Sequence, residues 1–269
     1  LQILIVLILT LRPLPIKATN TYTFWAFADI QPTNSSQWDE WYSVIDDMEN
    51  VDFNTSLVAG DIVTDGDIDS DYITYINSLG GFEQDQYLTA GNHDYQDNGK
   101  LTNYNYYFGS AGYTVIQGNI LFIFINSGRD DYVTEKRFNY WRNRVINNQD
   151  KIIITVTHRA IQSTTRGSGV NYITNSDQFI EVMEQYHVDM WLHGHIHQSL
   201  EQTKMVVKKY GTVFVNTGLA LPQLYDECSR TLNFIEGSPV VEMKLRNHQD
   251  NIFNDTWIKH YTLSHNFSL

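Results

Sequence analysis

Five apolar stretches of the chain end in residues able to bind a metal ion. Residues 22–28 run into Asp29, residues 57–60 into Asp61, and residues 86–90 into the turn Gly91-Asn92-His93-Asp94. Residues 151–157 run into His158, and residues 190–194 into His195 and His197. One His beside one Asn and one Asp is more often a loop cap than a site. Repetition at strand ends carries more weight, because open α/β sheets bind ligands in the crevice beyond the carboxyl ends of their strands. Carboxylate, amide oxygen and imidazole form a mixed hard and borderline donor set. It suits Mn, Fe or Zn and gives no reason to expect a thiolate-selected metal. An Asp carboxylate can bridge two cations, and a pair about 3.5–4 Å apart stabilises both attacking and leaving oxygens in phosphoryl transfer. The spacing in Gly194-His195-Ile196-His197 fits the same chemistry, since side chains at i and i+2 of an extended segment project to one side.

Positioning these donors takes strands with helices between them, and the chain reads that way. Residues 21–28 form a strand reaching the loop Asp29-Ile30-Gln31-Pro32. Ser35 or Ser36 caps the next helix, whose core stripe is Trp38, Trp41, Tyr42, Ile45 and Met48. Residues 56–59 are a short strand followed by the loop 60–66. Tyr72, Ile73, Ile76 and Leu79 mark a second helix, ended by Gly80-Gly81. After the turn at 91–94 come residues 104–108, then strands 113–116 and 119–125 with Gly118-Asn119 as their hairpin turn. Thr134 is the N-cap of a helix carrying Phe138, Trp141 and Val145 on one side. Residues 152–156 are a β-branched run without polar alternation, as a central strand covered on both faces requires. Residues 159–172 form a polar loop long enough to be functional. Phe179, Ile180 and Met183 mark a helix and residues 190–192 a brief strand. From Met205 onward the chain is β-rich, with 212–215 and 240–245 the clearest strands. No repeat, linker or low-complexity tract divides it.

A length of 269 residues fits one large domain, and 42% hydrophobic with 13% aromatic residues supplies its core. The net charge of -13 argues against a broad nucleic-acid-binding face, which needs clustered Lys and Arg. It leaves room for a phosphate substrate, because bound divalent cations reverse the field locally. The single cysteine, Cys228, excludes an intrachain disulfide framework and a Cys-rich zinc module, and reads as a small buried hydrophobe. Residues 1–11 (LQILIVLILTL) have the apolar character of a signal-peptide h-region, with 12–18 as the cleavage region. A membrane span takes about 20 residues, so the run is short for one. The competing reading is a buried first strand. The expectation is a signal peptide over residues 1–18, a domain over 19–269, secretion or another extracytoplasmic location, and no stable membrane span once the signal is removed. Sequons at Asn34, Asn54, Asn254 and Asn266 are near chance in a chain this rich in Asn, Ser and Thr.

Taken in order, Asp29-x-Gln31, Gly60-Asp61, Gly91-Asn92-His93-Asp94, His158 and Gly194-His195-Ile196-His197 resemble the motifs of the calcineurin-like metallophosphoesterase family. The resemblance covers nearly all the chain after residue 20. It implies an α/β fold, a four-layer αββα sandwich of two mixed β-sheets flanked by helices, with a dinuclear metal site at the C-terminal strand ends. It also implies metal-dependent hydrolysis of a small-molecule phosphate ester, monoester or diester, by water activated with two divalent ions (Mn, Fe or Zn). Carried over residue by residue, Asp61 bridges the metals. Asp29 and His197 hold the first, with Gln31 beside them, and Asn92, His158 and His195 hold the second. His93 stands outside the metals near the leaving-group oxygen, and Asp94 orients its ring for general acid work.

Two positions depart from the family's pattern. Gln31 stands where relatives usually have His; its neutral amide oxygen is a weaker donor and favours a harder cation such as Mn²⁺ at the first metal. Thr64 stands at a position often acidic in relatives, and Asp65 is expected to supply the supporting carboxylate instead. A Tyr there would have suggested a purple acid phosphatase, so its absence disfavours that branch. Plainer readings apply elsewhere. His187, His248, His260 and His265 are surface or hydrogen-bonded histidines, and His193 lies close behind the site. Arg159 and Arg166 either hold a substrate phosphate from the long loop or are solvated. Tyr95, Tyr106 and Tyr107 either line a cleft or pack in the core. The rival class is a catalytically silent binding protein that keeps the fold, with Gln31 as a sign of decay. The pair His93 and Asp94, which has no evident structural duty as a metal ligand, favours the enzyme.

Overall fold

The computed structural model describes residues 20–80, 82–129, 131–166, 172–198, 200, 204–220 and 227–269. The expected signal peptide, the helix-ending Gly81 and residues 167–171 of the long loop lie outside the described residues. The chain opens with β1 (Thr21–Phe27), α1 (Ser35–Glu49), β2 (Thr55–Val58), α2 (Asp69–Ser78), β3 (Asp85–Leu88) and α3 (Thr102–Phe108). The hairpin of β4 (Tyr113–Gln117) and β5 (Ile120–Ile125) leads to α4 (Glu135–Ile146) and β6 (Ile152–Thr157). Next come β7 (Ala160–Ile161), β8 (Tyr172–Ile173), α5 (Ser176–Met183) and β9 (Met190–His193). The remainder is β10 (Val206–Lys209), β11 (Thr212–Asn216), β12 (Cys228–Ile235), β13 (Val240–Asn247), β14 (Ile252–Phe253) and β15 (Lys259–Thr262).

The strands form two mixed sheets and one small pair, β7 with β8. The first sheet runs β14-β13-β12-β1-β2-β3 with β15 beside β13, and the second runs β10-β11-β9-β6-β5-β4. The two-residue period of a strand sorts their side chains into layers. Phe24 and Ala26 of β1 pack with Phe122 and Phe124 of β5 and Ile154 of β6 in a core between the sheets. Trp25 and Phe27 point the other way, onto Trp41, Ile45 and Met48 of α1 and Tyr72 and Tyr75 of α2. Leu121, Ile123 and Ile153, on the outer face of the second sheet, meet Trp141 of α4 and Phe179 of α5. The result is helix, sheet, sheet, helix, as the resemblance implies. Four fully buried indoles each place their N–H on a hydroxyl: Trp25 on Ser229, Trp41 on Ser78, Trp141 on Thr155 and Trp191 on Thr157, all at 2.7–2.9 Å. This is what a buried Trp requires.

Two local expectations change. The cap of α1 is Asn34, whose side chain accepts from Gln37 N at 3.1 Å; Ser35 is already helical and too late to reach that amide. In α2 the buried face is Tyr72 and Tyr75, while Ile73 and Ile76 are 42% and 39% exposed. The tyrosines win because each finds a partner for its hydroxyl, Asp94 O at 2.9 Å and Gln86 Oε1 at 2.8 Å, and Tyr75 also stacks on Trp41.

A buried polar group ties α1 to β13 and the residue after it. Asp47 accepts from Arg246 through both Nε and Nη2 and meets His248 Nδ1 at 2.7 Å, while His248 Nε2 meets Ser229 Oγ at 2.8 Å. Burial alone would raise the Asp47 carboxyl, but the His248 and Arg246 hydrogen bonds and charges outweigh it and hold the group below its usual value. A depressed carboxyl adds stability that is fully present above its unfolded value and lost as pH falls through its folded value. Asp47→Asn should therefore lower stability at neutral pH by about 2–3 kcal/mol in urea unfolding. The deficit should shrink below about pH 4, where the unfolded carboxyl protonates. Equal unfolding midpoints at neutral pH would contradict this role.

Candidate metal centre

The parallel strands β1, β2 and β3 lie in register, Phe27 beside Val58 and Val58 beside Leu88, so the loops that follow them leave the sheet together. Backbone bonds bind those loops to each other, Asp29 N to Gly60 O at 3.1 Å and Ile30 N to Asp61 O at 2.9 Å. This row presents Asp29, Gln31, Asp61, Asn92 and His93. In the second sheet β6 runs into His158 and β9 into Gly194 and His195, joined by Gly194 N to His158 O at 3.0 Å. The two rows meet where His195 N donates to Asp29 Oδ1 at 3.0 Å. The approach leaves no room for side chains at two glycines. A Cβ on Gly194 would lie 2.5 Å from Ala28 Cβ, and one on Gly91 would run into the Asp61 carboxylate. Among the described residues eight non-glycines have positive φ, and four of them are here: Asp29 (58°), Gln31 (28°), Asp61 (55°) and His195 (63°). Such conformations cost about 1–3 kcal/mol each and persist where the surroundings over-determine them, commonly at functional sites.

One imidazole nitrogen is the focus. His158 Nδ1 lies 2.8 Å from Ala59 O, a carbonyl that can only accept, so this nitrogen carries a proton. Its Nε2 then faces Asp61 Oδ2 at 3.1 Å, Asn92 Oδ1 at 3.1 Å and His195 Nδ1 at 3.2 Å. A single N–H can satisfy one of those three; a cation among them satisfies all four groups. Ligand atoms of Asp61, His158 and His195 all lie within 4.8 Å of one another. Among the described residues Asp29 Oδ2 is buried without a hydrogen-bond partner. A bare buried carboxylate oxygen is costly, and a metal ion relieves it. The donor set and this oxygen both fit divalent cations.

The electrostatics are consistent with that fit. Burial raises the Asp61 carboxyl, but the charge and hydrogen bond of His158, with help from His93, hold it down to about 2. Burial lowers His158, yet Asp61 and then Asp29 pull it up to about 9. His195 is pressed down to about 2 by burial and by the cations His158 and Arg159. Asp29 is raised by burial, against the pull of His197 and His158. Asp61 ionised and His195 neutral are the forms that bind metals, while His158 has a proton to release when one enters.

The other half of the expected set is looser. Asp29 Oδ1 and His197 Nε2 are 3.8 Å apart. Gln31 Nε2 lies 3.1 Å from Asp61 Oδ2 and 2.9 Å from His197 Nε2. The amide thus presents its nitrogen to these groups, and its oxygen must rotate half a turn to serve as a donor atom.

The support around His93 differs from the expectation. His93 Nδ1 sits 2.8 Å from the Thr64 carbonyl, which orients the ring in place of Asp94. Asp94 is committed elsewhere: its two oxygens accept from the backbone amides of Asp61, Ile62, Val63 and Gly91 at 2.7–3.3 Å, pinning the two loops together. Burial and the charge on Asp61 push its carboxyl up to about 7, against those amides, which favour the ionised form. Nor does Asp65 supply the supporting carboxylate expected of it. It is exposed, and its Oδ1 accepts from Asp67 N at 2.9 Å.

Arg159 is buried, with Nη1 2.8 Å from His195 Nε2 and Nε donating to Gly128 O at 3.3 Å; Arg166 is exposed. His193 is buried behind the site, between Thr165 Oγ1 at 2.8 Å and Gly194 O at 2.9 Å. Tyr95 donates to Asn126 Oδ1 at 2.8 Å, Tyr107 stacks on Tyr72, and Tyr106 is 81% exposed. Residue-by-residue reading missed the carbonyls of Ala59 and Thr64, which leave no trace in side-chain type. It also missed Ser127, whose Oγ accepts from His158 N at 3.2 Å and Arg159 N at 3.0 Å. The polar turn Asn126-Ser127-Gly128 after an apolar strand was the available signal.

The family model for calcineurin-like phosphoesterases matches residues 22–199. No curated protein matches the chain in sequence. Among solved structures, a dimetal phosphatase from Danio rerio, LOC 393393, is similar with a TM-score of 0.68 at 13% identity, over 90% of this chain and 98% of that one. Purple acid phosphatase PPD1 from yellow lupin (Lupinus luteus) seeds gives 0.70 at 13% identity over 91% of this chain and 54% of its own, so this chain spans about half its length. GAP50, the anchor in the inner membrane complex of Plasmodium, gives 0.67 at 12% identity, over 93% and 90% of the two chains. At these identities the likeness is one of fold.

Proposed function

Because the chain belongs to the calcineurin-like phosphoesterase family, we propose that it is a metal-dependent hydrolase of phosphate esters. The observation that carries this reading is the convergence of Asp61 Oδ2, Asn92 Oδ1 and His195 Nδ1 on His158 Nε2, all within 3.2 Å. Two divalent ions, Mn, Fe or Zn, would polarise the phosphoryl group and lower the pKa of water. Asp61, whose Oδ2 faces both His158 and Gln31, would be the carboxylate shared by the two ions. Asn92, His158 and His195 would hold one ion, and Asp29, His197 and Gln31 the other. His93, with Nδ1 fixed on the Thr64 carbonyl, has Nε2 left to deliver a proton to the departing oxygen. Arg159 Nη1 lies 2.8 Å from His195 Nε2 and can only donate, so it must swing aside for His195 to carry its proton on Nε2 and offer Nδ1 to an ion. The test is release of p-nitrophenol from p-nitrophenyl phosphate and its bis ester with Mn²⁺ supplied. Turnover of at least one ester, abolished by a chelator, is expected, and the pair sorts monoesterase from diesterase. No turnover of either ester with Mn²⁺, Zn²⁺ or Fe²⁺ would overturn the reading.

One observation favours a second reading, a silent metal-binding protein. The Gln31 amide nitrogen bridges Asp61 and His197 where an imidazole would be a better ligand, and GAP50, of the same fold, is described as an anchor. The two readings part at ester turnover, and the role of Gln31 is tested by itself. If Gln31 serves the first metal, Gln31→His should keep or raise Mn²⁺ affinity in calorimetric titration, and Gln31→Ala should lower it. Unchanged binding in both variants would place Gln31 outside the metal's coordination.

A further inference from the structure

A cleft of about 930 Å³ is lined by the end of β5, the start of α4, the start of α3 and the loop before it. β5 is parallel to β6, so the cleft opens at the same end of the sheet as the metal centre. The two share a wall. Tyr95, two residues beyond His93, lines the cleft and donates to Asn126 Oδ1 at 2.8 Å. Gly128 is packed so tightly between the Tyr95 ring and Gly91 O that a Cβ on it would lie 2.6 and 2.8 Å from them.

The charge of this cleft is opposite to that of the molecule. The chain has 31 acidic and 18 basic residues, yet among the described residues Lys100, Lys136 and Arg137 line the cleft and no Asp or Glu does. Among the described residues none of the three forms an ion pair with a carboxylate. Arg137 is fixed by a bond from Nη1 to Asn126 O at 3.1 Å, whereas Lys100 and Lys136 are exposed with no side-chain hydrogen bond to the described residues. The remaining lining includes Leu101, Phe124 and Ile125 with the rings of Tyr95 and Tyr140. Clustered unpaired cations over an apolar floor repel one another until an anion joins them, and the volume falls in the range of small-molecule sites, about 300–1,000 Å³.

We propose that this cleft receives the alcohol portion of the phosphate ester and selects substrates whose alcohol carries a second anionic group, carboxylate or phosphate, on an apolar body. The proposal rests on the phosphoesterase reading and adds the substrate class to it. It is tested by calorimetric binding of non-hydrolysable probes to the Mn²⁺-loaded protein, comparing alkylphosphonates with ω-carboxyalkylphosphonates of matched and increasing chain length. At the best length the carboxylate should tighten binding by about three- to tenfold, as two partly exposed charge contacts allow. In Lys100→Ala/Lys136→Ala that gain should vanish, while binding of the plain alkylphosphonate stays unchanged. Neither lysine side chain bonds to the described residues, so the double variant should unfold at the wild-type midpoint. A carboxylate that adds nothing at any length, a gain that survives the double variant, or no binding of either probe would each overturn the proposal. These outcomes do not depend on turnover. Failure of the hydrolase reading would show separately, in the p-nitrophenyl ester assay.

Discussion

Asp61→Asn should strip the protein of bound metal and abolish hydrolysis of phosphate esters. Asp61 Oδ1 accepts from His93 N at 2.8 Å, and Oδ2 faces His158 Nε2 and Gln31 Nε2, both at 3.1 Å. Both oxygens therefore meet donors, and an amide at this position must turn its NH₂ onto one of them. The substitution also removes a buried charge that pulls His158 up and would offset two cations. Metal retained after dialysis, counted by atomic emission, should fall from two equivalents to less than one, and p-nitrophenyl phosphate turnover should fall to background. Asp94 takes four of the backbone amides that hold these loops and Asp61 only that of His93, which an amide oxygen at this position can still accept, so circular dichroism should be unchanged. Full metal content with normal turnover would remove Asp61 from the centre of the site.

His93→Ala separates proton delivery from metal binding. The ring hangs from the Thr64 carbonyl by Nδ1 and shares no hydrogen bond with the cluster around His158 Nε2. Its loss should leave metal content intact and lower kcat more than it raises KM. General acid help is typically worth about 10²–10⁴-fold, most for a leaving alkoxide whose parent alcohol is a weak acid. The deficit should thus be large for alkyl phosphates and small for p-nitrophenyl esters, whose phenolate departs without a proton. Equal deficits for both would end the acid role and leave His93 with electrostatic positioning. Asp94→Asn should behave differently from His93→Ala. It disturbs the amides of Asp61 and Gly91, so it should lower metal affinity as well as turnover.

The sheet that carries the site was legible because its strands announce themselves. Residues 152–156 are apolar without alternation, and β6 is indeed buried between β5 and β9, parallel to both. The donors at the strand ends were legible for the same reason: a polar residue of metal-binding type directly after such a run stands out. The face of α2 was not, because isoleucine and tyrosine are both apolar at helical spacing. Only the partners Gln86 and Asp94 O, distant in sequence, decide which is buried. The work of Asp94 was not legible either. A carboxylate beside a histidine suggests a pair, yet the strained turn at Asp61, with φ of 55°, leaves backbone amides that need an acceptor, and Asp94 is the nearest. The service of the Ala59 and Thr64 carbonyls is fixed by loop geometry alone.

The most direct measurement is a titration of metal-stripped protein with Mn²⁺, following bound metal and hydrolysis of a phosphate ester in the same sample. A metal centre built on Asp61, Asn92, His158 and His195, completed by Asp29, Gln31 and His197, predicts two binding events. The tighter belongs to the converged group around His158 and the weaker to the Gln31 side, and turnover should rise with the second. Hydrolysis that is complete in stripped protein, or two metals bound without hydrolysis of any ester tried, would contradict it.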